Sequence, residues 1–433
     1  MEWYVVGPGL LALLVVFILA GLPVPFALAA AALPFLWHIQ GVSTSLVAGS
    51  LKLWGVWVDY ILLSVPLFVL LGELIGRSTI GPNLYLMMQN NLRTRGSAAY
   101  GSIGACAGFG AVCGSSMVGA LTIGGVALPE MIKLGYDRRL ASGVLAAGGT
   151  LSVLIPPSLI MLFYGIVTDS SIGELFIAGI IPGIILTFMF VLVVLAWGKI
   201  RKDAVPDGGG GVRLPLKTAL AAAGPVAVVG AVIVISIYSG IATPTEAAAI
   251  AVLLTAALAF AFGGLTLRAF GDAVKATMRT MGFLGILLSA GVLFGFVLAY
   301  YRVPQEFTAA FLSLELSPYA TLAVVVVFYI ALGMFLEPVS MTFITLPTLF
   351  PLVLASGFDP IWFGVLYTIT MEIAVLTPPV GLNLYVIQGV ARDKVDIADV
   401  IYGCLPFIAA LAALIMLLVA APDIALWLPE IMK

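Results

Sequence analysis

The chain has 433 residues, of which 62% are hydrophobic and 9% charged, with a net charge of −2. Soluble domains carry about 25% charged residues, so this composition excludes an ordinary soluble fold, and the near-neutral balance gives no footing for nucleic acid. Ten or so runs approach or exceed the ~18 apolar residues that read as a membrane helix, which makes the chain an all-α polytopic protein of the lipid bilayer.

In chain order, the apolar pattern predicts a first helix at 4–20. The start "MEWYVVGPGLLALLVVF" lacks the basic segment and cleavage site of a signal peptide, so this helix is expected to be retained. Helices follow at 24–40 and 57–77, then 98–113 and 117–133, 139–166 and 173–198. A second series is expected at 218–238, 244–263, 282–300, 318–336, 340–356, 359–391 and 398–420. The less apolar segments 43–56 and 265–281 are expected to lie at the interface. Between the series, "KIRKDAVPDGGGGVRLPLK" (199–217) has five basic residues and four glycines and reads as a flexible linker. The lone His38 is expected to be interfacial or packed, and Cys106, Cys113 and Cys404 to be free buried thiols.

The two series resemble each other. "VLIPPS" (153–158) is answered by "VLTPPV" (375–380), and "LPEMIKLGYD" (128–137) by "FPLVLASGFD" (350–359), each 222 residues on. "GLPVPFALAAAA" (21–32) answers to "GIATPTEAAAIA" (240–251), and "LLS" at 62–64 to "LLS" at 287–289. Four matches in order argue for an internal duplication. Lys and Arg counts put the loops at 77–95, 133–139 and 199–217 inside, and "TDSSIGE" (168–174) outside. The segment about 98–133 then enters and leaves on one face, either as two helices or as a re-entrant hairpin, and about 318–356 does so from the opposite face. Each half has five crossings and one hairpin, an odd number of crossings, which inverts the second copy. The expected plan is therefore a first inverted repeat at 1–198 and a second at 218–433. Their broken helices are 139–166 and 359–391, and such proteins place ion and substrate sites near the midplane.

Proline removes a helical donor and clashes with the preceding turn. In hydrocarbon the freed groups are tolerated only when buried in protein or lining a cavity. A plain proline kink explains either double proline taken alone; their recurrence at matching places favours paired broken helices. Exposed carbonyls there suit Na⁺, and half-helix N-termini attract anions. Around the breaks stand Gly148, Gly149, Thr150, Ser152 and Pro156 in the first copy, and Glu372, Thr377, Pro378, Gly381 and Asn383 in the second. The expected hairpin tips carry Gly114, Ser115 and Ser116, and Glu337, Ser340 and Thr342. Small residues at a tip also simply permit close packing. An ionisable group at membrane depth is a functional candidate by default: Glu337 to line a cavity or cap a half-helix, Glu372 to touch an ion or a proton. Glu73 and Glu246 read as interfacial. The chain has no GxxxxGK[ST] motif, and a serine hydrolase at "GSSM" lacks an activating base, so enzymatic activity is not expected.

"PEMIKLGYDRRLASGVLAAGGTLSVLIPPS", "YGIVTDSSIGELFIAGIIPG" and "TPPVGLNLYVIQGVA" resemble the large membrane subunit of tripartite ATP-independent periplasmic (TRAP) transporters, over nearly the whole chain. The resemblance implies a bacterial inner-membrane, Na⁺-driven importer of organic anions, usually carboxylates, with an elevator-like mechanism. It implies two partners, a small four-helix membrane subunit and a periplasmic substrate-binding protein. The small subunit is fused ahead of the large one in some relatives and is expected to be separate here. It further implies one Na⁺ site between Gly114–Ser116 and the backbone from Gly149 to Pro156, with the carbonyls of Gly149, Val153 and Pro156 favoured. A second would lie between Gly333–Ser340, including Glu337, and the backbone from Glu372 through Thr377 to Pro378. The anion would lie between the tips, near Ser115, Ser116, Ser340, Thr342, Gly381 and Asn383. The alternatives are an autonomous Na⁺- or H⁺-coupled anion transporter or antiporter without a binding protein, and a channel.

Overall fold

The computed structural model describes residues 2–92, 94–206 and 215–432. Nineteen α-helices are found among them. In chain order they are α1 (Trp3–Leu19), α2 (Val24–Trp57), α3 (Ser64–Gly76), α4 (Ile80–Asn91), α5 (Ser97–Cys113), α6 (Ser116–Lys133), α7 (Arg138–Leu154), α8 (Leu159–Thr168) and α9 (Ile172–Ile200). After the linker come α10 (Leu216–Tyr238), α11 (Pro244–Phe262), α12 (Leu267–Tyr300), α13 (Val303–Leu312), α14 (Pro318–Gly333), α15 (Pro338–Ala355), α16 (Pro360–Leu376), α17 (Leu382–Val390), α18 (Ile397–Ala420) and α19 (Asp423–Ile431). Six helices are long and apolar enough to cross a membrane, or up to eight if each of two bent pairs counts as one span. The expected linker starts with the single turn Lys202–Ala204, and its glycine-rich centre lies outside the described residues.

The expected helices are present, with differences that have local causes. The segments 265–281 and 282–300 form one continuous α12, because their boundary changes in polarity but has no proline, and Gly282 is carried within the helix. The helix at 24–40 runs on into 43–56, and only Gly41, at φ +74, interrupts α2. The helix expected from 57 starts at Ser64, after a single turn at Tyr60–Leu63 opened by Asp59, which accepts from the Ile61 amide. Short or polar helices were not foreseen: α4 ends in Gln89, Asn90 and Asn91, and α13 and α19 are 10 and 9 residues long. The three cysteines are free and buried.

α7 and α16 form the centre: every residue from Leu140 to Leu154 and from Ile361 to Leu376 is buried. Each starts with the same device. A glycine at φ +88 (Gly135, Gly357) ends the preceding helix. Two residues on, an aspartate accepts from two first-turn amides: Asp137 from Arg139 and Leu140, Asp359 from Ile361 and Trp362. This satisfies donors that a helix start otherwise leaves orphaned. α6 and α15, and likewise α7 and α16, begin and end 222 residues apart. α7 crosses α18 backbone to backbone. A Cβ on Gly143 would overlap the Gly403 carbonyl, and one on Gly403 would overlap Arg139. Arg139 Nε also pairs with Asp399 of α18 at 3.2 Å.

Candidate functional site

Both double prolines interrupt a buried helix. α7 stops at Leu154 and α8 resumes at Leu159, bent by 42°; α16 stops at Leu376 and α17 resumes at Leu382. The Pro156–Pro157 and Pro378–Pro379 peptides are both cis. The residues four ahead of Ser152 and Val153 are Pro156 and Pro157. Prolines carry no N–H, so the last carbonyls of α7 have no helical donor. In α16 the matching carbonyls are Ala374 and Val375. There the Thr377 amide turns back to Ala374 O at 3.1 Å.

The turn between α5 and α6 lies against the first break. Gly114 takes φ +68, and its carbonyl accepts from the Leu159 amide at 3.2 Å. A Cβ on Gly114 would lie 2.7 Å from the Pro157 carbonyl oxygen, and one on Gly149 would lie 2.6 Å from Ser116 O. A Cβ on Gly119 would overlap the Ser152 hydroxyl, which donates to Cys106 O at 3.3 Å. The glycines are therefore close-approach positions, where any side chain would push the turn off the break. Ser115 precedes α6 without capping it, so the first amides of α6 are not closed by its hydroxyl. The first turn thus meets α7 and its break at two points, Gly114 against Pro157 and Leu159, and Ser116 against Gly149. Gly149 lies inside the helical part of α7, whereas Val153 and Pro156 lie at its end.

The turn between α14 and α15 meets the second break in the same manner. Met334 O accepts from the Val380 amide at 3.2 Å, and a Cβ on Gly333 would lie 2.5 Å from Ala374 Cβ. Glu337 caps α15, its Oε1 accepting from the Ser340 amide at 2.9 Å and from the Ser340 hydroxyl at 2.6 Å. The Thr342 hydroxyl donates to Pro338 O at 2.8 Å and lies 2.8 Å from the Tyr367 hydroxyl. Thr377 bonds back to Ile373 O at 2.7 Å. Gly381, at φ +44, opens α17 and sits over the Thr377 carbonyl. Asn383 reaches α7: its Nδ2 donates to Ala146 O at 3.3 Å, while its Oδ1 is buried without a partner.

Glu372 is set apart from the tip it was expected to join. Ala374 faces Gly333; Glu372, two residues earlier, points about 200° round the helix from it. Glu372 is 1% exposed, and neither carboxylate oxygen has a hydrogen-bond partner. Its polar side-chain neighbour is Ser116 at the first tip. The buried hydroxyls of α16, Thr368 and Thr370, bond back to Gly364 O and Leu366 O at 2.8 Å each. A carboxylate has no proton to do likewise. Ser152 and Asn383 have contacts that no local pattern discloses, since their partners lie far away in the chain. The signal available for them was only a polar residue beside a break. The arrangement as a whole offers two sets of main-chain oxygens at broken helices, each closed by a turn, and one buried, unpartnered carboxylate on α16.

The family described as the tripartite ATP-independent periplasmic transporter, DctM component, matches residues 11–424. The chain is 30% identical to the C4-dicarboxylate TRAP transporter large permease protein DctM of Rhodobacter capsulatus, over 97% of this chain and 98% of that one. It is 28% identical to the sialic acid TRAP transporter permease protein SiaT of Haemophilus influenzae, over 97% of this chain and 67% of that one. Among solved structures, the Alcanivorax borkumensis YdaH transporter matches with a TM-score of 0.63 at 14% identity, covering 89% of each chain. That likeness is one of fold.

Proposed function

The chain belongs to the TRAP transporter family as its DctM component, a multi-pass large permease of the inner membrane and not an enzyme, and from that premise we propose that it imports an organic acid by Na⁺-coupled alternating access. A periplasmic substrate-binding protein delivers the acid, and a small four-helix membrane subunit completes the permease. The C4-dicarboxylate and sialic acid named for its relatives are both carboxylates, which supports a carboxylate here. The chain spans two thirds of SiaT, leaving room in that protein for a small subunit beside the large one.

The observation that carries the reading is the pairing of each turn with its own double proline through a backbone hydrogen bond, Leu159 N to Gly114 O and Val380 N to Met334 O. On this reading residues 1–198 and 218–433 are inverted repeats joined by the 199–217 linker, and α5–α6 and α14–α15 are re-entrant hairpins. α5 and α14 have 17 and 16 residues, about 25 Å of helix, short of a ~30 Å hydrocarbon core. One Na⁺ lies by Gly114–Ser116, Val153 and Pro156, and another by Gly333–Ser340, Thr377 and Pro378. The anion lies between the tips, near Ser115, Ser340, Thr342, Gly381 and Asn383. The hairpins and broken helices move together as an elevator.

Reconstitution tests this. Proteoliposomes holding the chain with its small subunit, given its binding protein, should accumulate a labelled carboxylate only under an inward Na⁺ gradient. Robust uptake by the chain alone, or equal uptake when K⁺ replaces Na⁺, would overturn it.

A further inference from the structure

Lys52 stands on the second part of α2, after the interruption at Gly41, where α2 lies along α12. The segment is held there on both sides of the lysine. A Cβ on Gly49 would lie 3.3 Å from Leu293 of α12, and the Trp57 indole donates to the Ser289 hydroxyl at 3.1 Å while its ring covers Gly285. The Lys52 ammonium lies 5.9 Å from the centroid of the Phe296 ring, and among the described residues it has no ion-pair partner. A ring face attracts a cation but leaves its N–H donors free for an acceptor.

Lys52 and Asp59 line a cavity of about 400 Å³, which shares both residues with a wider one of about 740 Å³. Volumes of this size take small-molecule ligands. Asp59 spends one carboxylate oxygen on the Ile61 amide at 2.9 Å, so it opens the turn before α3 and does not neutralise Lys52. One wall of the cavity is α12, where a Cβ on Gly295 would meet open space. The other walls include Ile166 and Val167 of α8, and Phe343 and Pro347 of α15. Ile166 and Val167 adjoin the 168–174 loop, which basic-residue counts put outside. Phe343 directly follows Thr342, a residue proposed for the anion, and packs edge-on against Phe163 of α8 at 5.6 Å. The cavity therefore combines an unpaired ammonium at the outer end of the protein with a wall one residue from the proposed anion place.

We propose that this cavity is an entry subsite, in which Lys52 pairs with the carboxylate of the organic acid before the acid reaches the place between the tips. The subsite rests on the carboxylate-import reading above and takes no part in binding sodium. An ammonium at the mouth of a cavity speeds capture of an anion, an effect that salt screens. Lys52 thus acts on capture and not on the later movement.

Two measurements test it, both with ¹⁴C-labelled or unlabelled succinate, malate and sialic acid as the probes. In proteoliposomes holding the chain, its small subunit and its binding protein, the probe that wild type accumulates best is followed. Lys52→Gln should raise its KM about tenfold and leave the maximal rate near wild type, and Lys52→Arg should recover most of the loss. Gly295→Leu, which fills open space, should impair uptake while the protein stays monodisperse. The second measurement is acetylation of the chain in lipid nanodiscs without binding protein, read by mass spectrometry. That same probe should slow modification of Lys52 severalfold relative to chloride of equal ionic strength, and leave the 79% exposed Lys133 unchanged. An unchanged KM in Lys52→Gln would overturn the subsite while the import reading stands. Equal acetylation of Lys52 with and without the acid would overturn it too, by assigning any defect of Lys52→Gln to docking of the binding protein. Failure of wild type to accumulate any of the three acids would instead sink the import reading, and the subsite with it.

Discussion

Gly149 separates what residue type reveals from what only contact reveals. Its place beside a double proline marked it as a backbone ligand, yet it lies within helical α7, with Ser116 O 2.6 Å from where a Cβ would stand. Its evident task is to let the first turn approach. Overpacking a site whose neighbour is backbone costs typically about 1–3 kcal/mol. Gly149→Val is therefore expected to lower the melting temperature of the detergent-solubilised protein and to abolish uptake. Gly125→Ala, with nothing within 4 Å of the added Cβ, is expected to change neither. Equal melting curves for the two variants would show that the turn gives way freely. Glu337 and Glu372 were both visible in the sequence as carboxylates at depth. What the sequence left open was their division, because a cap is recognisable from Ser340 three residues on, whereas the Ser116 neighbour of Glu372 comes from the other half of the chain.

Elements were legible where a local signal ends them. α6, α7, α11, α15 and α16 start within two residues of their expected positions, since proline, glycine and capping residues act within one turn. The errors arose where polarity was used as a proxy for helix ends, as at the α12 boundary, or where a helix was too polar to stand out, as in α4. The two aspartate caps give an element-scale prediction. Asp359 accepts from two amides at 2.8 and 2.9 Å, and Asp359→Ala leaves both unsatisfied at the start of a fully buried helix. Losing such a cap costs about 0.5–2 kcal/mol, so Asp359→Ala should melt measurably below wild type. Asp359→Asn, which keeps an acceptor, should recover most of the difference. If Asn behaves as Ala does, the charge rather than the hydrogen bonds stabilises α16.

For the whole molecule, the 222-residue offset between α6–α7 and α15–α16 could be read from spacing alone, but the contacts joining the halves could not. Asn383 meets Ala146 across 237 residues of sequence, beyond the reach of any periodicity. α7 packs against α5, α6, α9, α16, α17 and α18, which gathers the turns and broken helices into one body, while α10 packs against α11 and also touches α5. That last contact is where rigid-body movement can be tested. A Cβ on Gly230 of α10 would lie 3.6 Å from Ala111 Cβ of α5, inside the ~3.5–4.5 Å span of a disulfide. The native cysteines are buried and unpaired, so they leave the new pair free to close. If the hairpins and broken helices slide past α10 during transport, oxidising Ala111→Cys/Gly230→Cys should halt uptake, and dithiothreitol should restore it. Neither single cysteine should respond to the oxidant. Undiminished uptake in fully cross-linked protein would mean that α10 and the first hairpin travel together, and the boundary of the moving body would have to be drawn elsewhere.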